Sequence, residues 1–230
     1  SGILPFSPED AIELELPEGH PEGARRAALA RWITSKGNPL TWRSIVNRAW
    51  LWHFGAAIVD SPNDFGRMGE LPSHPELLDW LACEFRDGDQ SFKALHRLIV
   101  ASSTFRQASA VTPALLARDP ENRLLARGPR LRLAGPAIRD QALFVSGFLS
   151  SKMYGPQVRP YQPAFGVSAA FGITMDWPIS KGEDKYRRGL YTTWKRSNPY
   201  PSMVTFDAPS REVCTVRRDR TNSPLQALVT

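Results

Sequence analysis

The side chains best suited to chemistry in this sequence lie in one stretch, where cations alternate with flat aromatic rings. From Lys185 to Arg220 there are nine basic residues and three acidic ones (Asp207, Glu212 and Asp219), a surplus of six positive charges. Lys185, Arg187, Arg188, Lys195, Arg196, Arg217, Arg218 and Arg220 are interleaved with Tyr186, Tyr191, Trp194 and Tyr200. Such a set suits an anionic carbohydrate: guanidinium groups take sulfate or carboxylate while a sugar ring stacks on Trp or Tyr. Single-stranded nucleic acid would use the same groups. The competing reading turns the arginines inward, onto Asp176, Glu183, Asp184 and Asp207, because a region short of regular structure needs side-chain hydrogen bonds for its backbone. The candidate ligand contacts are Arg187, Arg188, Tyr191, Trp194, Lys195, Arg196, Arg217, Arg218 and Arg220.

Two carboxylates near this cluster, Asp176 and Asp207, are the catalytic candidates. A glycosidase mechanism needs two carboxyl groups about 5–9.5 Å apart across a cleft. Metal chemistry has thinner support. His53, Asp64, His74, Glu76 and Asp79 carry suitable donors, with His53 and His74 foremost. No histidine pair shows the i, i+4 spacing of a helical zinc site, however, so these groups read first as pins of helix ends. No metal is assigned. Asp64-Phe65-Gly66 copies a magnesium-binding tripeptide of kinases, but without a glycine-rich loop or a His-Arg-Asp loop before it. It reads as a turn with glycine in a left-handed conformation. Two cysteines, Cys83 and Cys214, allow one bridge or two buried thiols and cannot build a disulfide framework.

The elements that must hold these groups are mostly helices. The spacing predicts helices from about Glu22 to Thr34 and from Pro39 to Phe54, the second capped by Asn38 and closed by Gly55. Ser73 and Glu76 form a capping box before Leu77, Leu78, Leu81, Ala82 and Phe85. Further helices are expected from Ser91 to about Thr104 (Phe92, Leu95, Leu98 and Ile99 inward), from Asp119 to Ala126, and from Gly135 to Leu149 (Ile138, Ala142, Leu143 and Val145 inward). Arg43, Arg48, Arg97, Arg123 and Arg139 interrupt these apolar helices and are expected to sit in buried or half-buried ion pairs. After residue 150 helical periodicity fades and Pro, Gly and aromatics dominate. All five tyrosines fall between 154 and 200. Gly189–Trp194 reads as a short strand, and Ser202–Phe206 as a second strand or a helical turn. Thr221-Asn222-Ser223-Pro224 caps a last helix that the chain end cuts short.

At 230 residues, 42% hydrophobic and 23% charged, the sequence is that of an ordinary globular protein. Outside the cationic stretch twenty bases balance twenty acids, so a globally basic, histone-like protein is excluded. No apolar run approaches the ~20 residues of a membrane span. The acidic opening lacks the basic region of a signal peptide, and the start at Ser1 without Met points to a processed or excised chain.

Several stretches carry a resemblance. They include Asn38-Pro39-Leu40-Thr41, Val46-Asn47-Arg48-Ala49-Trp50, His53-Phe54-Gly55 and Asp64-Phe65-Gly66. Pro72-Ser73-His74-Pro75-Glu76-Leu77-Leu78-Asp79-Trp80-Leu81-Ala82, Ser91–Ile99 and Asp119-Pro120-Glu121-Asn122-Arg123-Leu124-Leu125 continue the series. Arg187-Arg188-Gly189-Leu190-Tyr191, Phe206-Asp207-Ala208-Pro209 and Thr221–Leu228 complete it. In this order the motifs resemble planctomycete-specific domain one, a C-terminal domain of unknown function (number fifteen fifty-three) in large proteins of Planctomycetes and Verrucomicrobia. The resemblance spans about residues 22 to 230. It implies a secreted multidomain parent with a c-type-cytochrome-like domain upstream, hence a periplasmic or extracellular setting and partners among the parent's other domains. It supplies no mechanism. The chain has no Cys-x-x-Cys-His, so no haem or other cofactor is expected in it.

The expected fold is mainly α. Residues 1–21 form a linker or edge segment, and 22–150 a bundle-like helical domain. Residues 151–230 form an irregular, basic and aromatic region with one or two short strands. The leading functional expectation is an accessory module binding an anionic polysaccharide or a partner protein. The alternative is a carbohydrate-active enzyme, coupled to the cytochrome-like neighbour. Nucleic acid is disfavoured by the extracytoplasmic setting.

Overall fold

The computed structural model describes residues 19, 21–162, 177–195 and 199–228. It is mainly helical, with eight α-helices among the described residues: α1 (Glu22–Ile33), α2 (Pro39–Phe54), α3 (Pro75–Asp87), α4 (Phe92–Ala101), α5 (Pro113–Arg118), α6 (Gly135–Val145), α7 (Pro201–Thr205) and α8 (Pro224–Leu228). The chain divides into two compact units, Ser1–Leu131 and Arg132–Thr230. The helix at 135–145 therefore belongs to the second unit, although the change of sequence texture comes only at residue 150.

The first unit is built on α2. Asn38 caps it, its Oδ1 accepting from the Leu40 and Thr41 amides, with Pro39 in the first turn. Gly55 closes it at φ 74°, a left-handed value that glycine adopts without steric cost. One face of α2 (Trp42, Val46, Ala49, Trp50, Phe54) packs on Leu78, Leu81, Ala82 and Phe85 of α3 and on Leu95 and Ile99 of α4. Each Val, Leu, Ile or Phe side chain among them, once removed from water, contributes about 1.5–3 kcal/mol. The opposite face leaves Trp52 exposed. Asn47, fully buried, stitches the following loop to this core: its amide donates to Val59 O (3.0 Å) and its Oδ1 accepts from Val59 N (2.9 Å). By contrast, α1 buries no residue and is tethered through its end, where Thr41 Oγ1 donates to Ile33 O and Trp42 Nε1 to Ser35 O.

Several local expectations change. The capping box before α3 does not form: His74 occupies the cap position without a side-chain bond to the helix amides, and the Ser73 hydroxyl is directed to Ile58 O. In α4, which runs from Phe92 to Ala101, Leu95 and Ile99 point inward but Phe92 and Leu98 are exposed. Residues 119–126 are turns rather than a helix, and the helix precedes them at Pro113–Arg118. The Asp119 carboxylate accepts from the Arg123 and Leu124 amides, and Arg127 donates to Asp119 O and Pro120 O. These bonds close a knot of turns whose positive φ values fall on Asn122 and Leu125. Asp64-Phe65-Gly66 is a turn, as expected, but Gly66 is not left-handed: its amide donates to Asp64 Oδ1 at 2.8 Å, an Asx turn.

In the second unit α6 lies against α7 and a 3₁₀ turn at Gly189–Tyr191. Gly189 allows this approach, since a Cβ there would stand 2.9 Å from Pro136 O. Its amide donates to Asp140 Oδ1 of α6. The strand expected at Gly189–Trp194 shrinks to an isolated parallel bridge between Val158 and Thr192. The segment expected as a second strand or helical turn is α7. On α6 only Gly135 is buried; Ala142 and Val145, expected inward, are exposed. The last helix, α8, is capped at its start by Ser223, within the expected Thr221–Pro224 stretch, and Gln226 completes a capping box: Ser223 Oγ accepts from Gln226 N while Gln226 Oε1 accepts from Ser223 N. No helix among the described residues is long and apolar enough to cross a membrane.

Candidate functional site

The cations of the 185–220 stretch divide by location. Arg187 is 1% exposed. Its guanidinium donates to Pro156 O at 3.1 Å and to Tyr154 O, and stacks over the Tyr191 ring at 3.8 Å. Arg187 is thereby committed within the chain, and one face of the half-buried Tyr191 ring is covered by it. Arg188 is exposed but pairs with Asp140 at 3.2 Å. Lys185 lies 5.1 Å from the centre of its neighbour Tyr186. Lys195 is half-buried, whereas Arg217, Arg218 and Arg220 are exposed. Arg196 lies outside the described residues.

The carboxylates expected to hold these arginines have other partners. Asp184 pairs with Lys152 at 2.8 Å, and Glu183 accepts from the Ser150 hydroxyl. Asp207 pairs with Arg132, which also lies 5.5 Å from the Phe206 ring centre. Both Asp207 oxygens accept from Thr221, through its amide at 2.7 Å and its hydroxyl at 2.9 Å, and Gln226 Nε2 adds a further bond. Burial works to raise the Asp207 carboxyl, but the Thr221 bonds, the Arg132 charge and Gln226 outweigh it and hold the group below its ordinary value. A carboxylate so engaged is a fixed anion that joins α7 to α8. Asp176, its expected catalytic partner, lies outside the described residues.

One feature does gather exposed cations. A cleft of about 400 Å³ in the second unit is lined by Thr192, Trp194, Met203, Arg211, Cys214 and Arg218, among others. The turn after Gly189 supplies Thr192 and Trp194, and the loop after α7 supplies Arg211 to Arg218. Arg211 stands over the Trp194 ring at 5.2 Å. Thr192 is buried, and its hydroxyl has no hydrogen-bond partner among the described residues. Two guanidinium groups, the Glu212 carboxylate, one large ring and the buried Thr192 side chain thus share one concavity. Arg211 was not among the residues singled out from sequence. The signal that could have found it is composition alone, since it follows Trp194 by many residues and no periodicity links them.

The histidines pair differently from expectation. His53 on α2 lies against His96 on α4, with ring centroids 4.9 Å apart, and its Nδ1 contacts Ala49 O at 2.8 Å. His74 turns to the Ser73 hydroxyl. Among the described residues no group of three His, Cys, Asp or Glu side chains is placed to hold a metal ion. Cys83 and Cys214 are both thiols rather than half-cystines, and Cys214 is exposed. Of the helix arginines, Arg43 holds buried Asp79 in a two-pronged pair (2.5 and 2.9 Å), as the sequence led one to expect. Arg139 donates to Lys185 O instead of a carboxylate, while Arg97 and Arg123 are exposed.

Residues 25–230 match the family model described as "PSD1: Protein of unknown function (DUF1553)". No curated protein and no solved structure matches the chain.

Proposed function

We propose a binding role for this chain, which belongs to the PSD1 family of proteins of unknown function (DUF1553): its second unit is an accessory module that holds an anionic polysaccharide. The observation that carries this reading is the cleft in which Arg211 lies over Trp194 with Arg218 on the same lining. A sulfate or carboxylate pairs with the guanidinium groups through charge-assisted hydrogen bonds, the sugar ring covers the free area of Trp194, and the Thr192 hydroxyl meets a sugar hydroxyl. The setting is extracytoplasmic, within a larger parent whose other domains are the protein partners. The enzymatic alternative has less behind it, because Asp207 is already fully engaged by Arg132, Thr221 and Gln226.

The test is retention on an immobilised sulfated polysaccharide at moderate salt. The chain is expected to be retained, and the Arg211→Ala/Arg218→Ala double variant to elute with the void. Arg188→Ala, whose guanidinium already faces Asp140, is expected to be retained. Absence of retention, or retention indifferent to Arg211 and Arg218, rejects the reading.

A further inference from the structure

A second cleft, of about 340 Å³, lies in the first unit, where the start of α2 meets the loop after it; Trp32, Thr41, Ser44, Arg48, Asn63 and Phe65 are among its lining residues. Its polar groups fall into two sets. Asn38 and Thr41 are already committed: the Asn38 side chain caps α2 and donates to Trp32 O, and Thr41 donates to Ile33 O. The side chains of Arg48, Ser44 and Asn63 make no hydrogen bond or ion pair among the described residues, and Arg48 Nε is buried without a partner. Arg43, five residues earlier, meets Asp79 in a two-pronged pair; Arg48 has no such carboxylate among the described residues.

A half-buried guanidinium without an anion is costly to keep, because burial removes water from a charge that nothing compensates. Arg48 is therefore suited to an anion that arrives from outside. Its planar fork matches a carboxylate two bonds at a time. Trp32 and Phe65 offer flat apolar surface beside it, and Ser44 and Asn63 offer short donors and acceptors. We infer that this cleft binds a small carboxylate whose charge is carried on a ring, with an acidic monosaccharide of the uronic type as its fitting member. The carboxylate takes Arg48, the ring lies on Trp32, and ring hydroxyls meet Ser44 and Asn63. This cleft shares no lining residue with that of Arg211 and Arg218.

The experiment is saturation-transfer and titration NMR of the whole chain with glucuronate, with glucose and inorganic phosphate as separate arms. Glucuronate is expected to bind with a Kd of about 1 mM or tighter and glucose to bind much more weakly. Arg48→Met is expected to weaken glucuronate at least about tenfold, the loss of a charge-assisted pair. Trp32→Ala should weaken it as well and serves if Arg48→Met does not fold, since the bonds Trp32 makes within the chain use its backbone carbonyl. Arg211→Ala/Arg218→Ala should leave glucuronate binding unchanged, which separates this site from the polysaccharide reading. The inference is overturned by lack of saturation at about 10 mM, by binding indifferent to both Arg48 and Trp32, or by phosphate binding as well as glucuronate.

Discussion

Arg187→Met should destabilise the second unit by about 3 kcal/mol, because it removes the bonds of a buried guanidinium to the Tyr154 and Pro156 carbonyls and its contact with Tyr191. Arg187→Lys should restore little, since one ammonium cannot span two carbonyls as the guanidinium fork does. Arg188→Ala, one residue on and exposed, should cost about 0.5 kcal/mol. Urea denaturation of the three variants reads the contrast, and equal costs at 187 and 188 would contradict the assignment. Asp207 gives a pH-dependent counterpart. Its ordinary value is near 3.8, and the folded protein holds it lower. A carboxyl depressed on folding contributes fully above its unfolded value and loses that contribution as pH falls through the folded one. Asp207→Asn should therefore be less stable than the parent chain at neutral pH, and the gap should close as the solution is taken below about pH 4. Thermal melts across that range report it; a gap independent of pH would count against the charge as its source. That two neighbouring arginines differ so much was beyond reach of the sequence. Arg187 and Arg188 are identical in type, and what separates them is the approach of the 154–156 carbonyls from a distant part of the chain.

Helix ends show where local rules were sufficient and where tertiary contacts overrode them. Asn38, Pro39 and Gly55 bound α2 as their chemistry dictates, since each acts within a turn of its own position. Ser73 and Glu76 carry an equally good signature, but the Ser73 hydroxyl finds Ile58 O, fifteen residues earlier, and the box stays open. Asn38→Ala should accordingly cost about 1 kcal/mol, and Glu76→Ala should leave the melting temperature of the first unit nearly unchanged. A large loss on Glu76→Ala would show that the box forms after all. The turns at 119–126 were misread for a related reason. Asp-Pro opens many helices, yet here the Asp119 carboxylate caps two amides of a tight turn and Arg127 seals its carbonyls. Periodicity placed the core positions of α3 (Leu78, Leu81, Ala82 and Phe85) well, because that helix packs on both α2 and α4. On α6 it failed for Ala142 and Val145, as a helical apolar pattern does not say whether anything lies over it.

At the scale of the molecule, the surplus of six charges was legible in the sequence and its distribution was not. Arg187 is buried, Arg188 and Arg132 face carboxylates, and Arg211 lies on Trp194. The charge left exposed in the 185–220 stretch is thus smaller than a count of its basic residues suggests: Arg188, Arg211, Arg217, Arg218 and Arg220 are exposed there, beside exposed Glu212 and Asp219. Two kinds of polysaccharide binding follow different laws from this point. A diffuse attraction between a cationic segment and a polyanion is screened away as the Debye length falls from about 10 Å at 0.1 M salt to 3 Å at 1 M. Binding that also uses the Trp194 ring and the Thr192 hydroxyl keeps a contribution that salt does not touch. Retention on a sulfated polysaccharide should therefore decline with salt along a shallow slope set by about two ion pairs, and Trp194→Ala should weaken it at every salt concentration without altering that slope. Arg211→Ala should do both, lowering affinity and flattening the dependence. A slope reflecting all nine cations of the 185–220 stretch, with no effect of Trp194, would mean that the cleft plays no part and the segment acts only as a patch of charge.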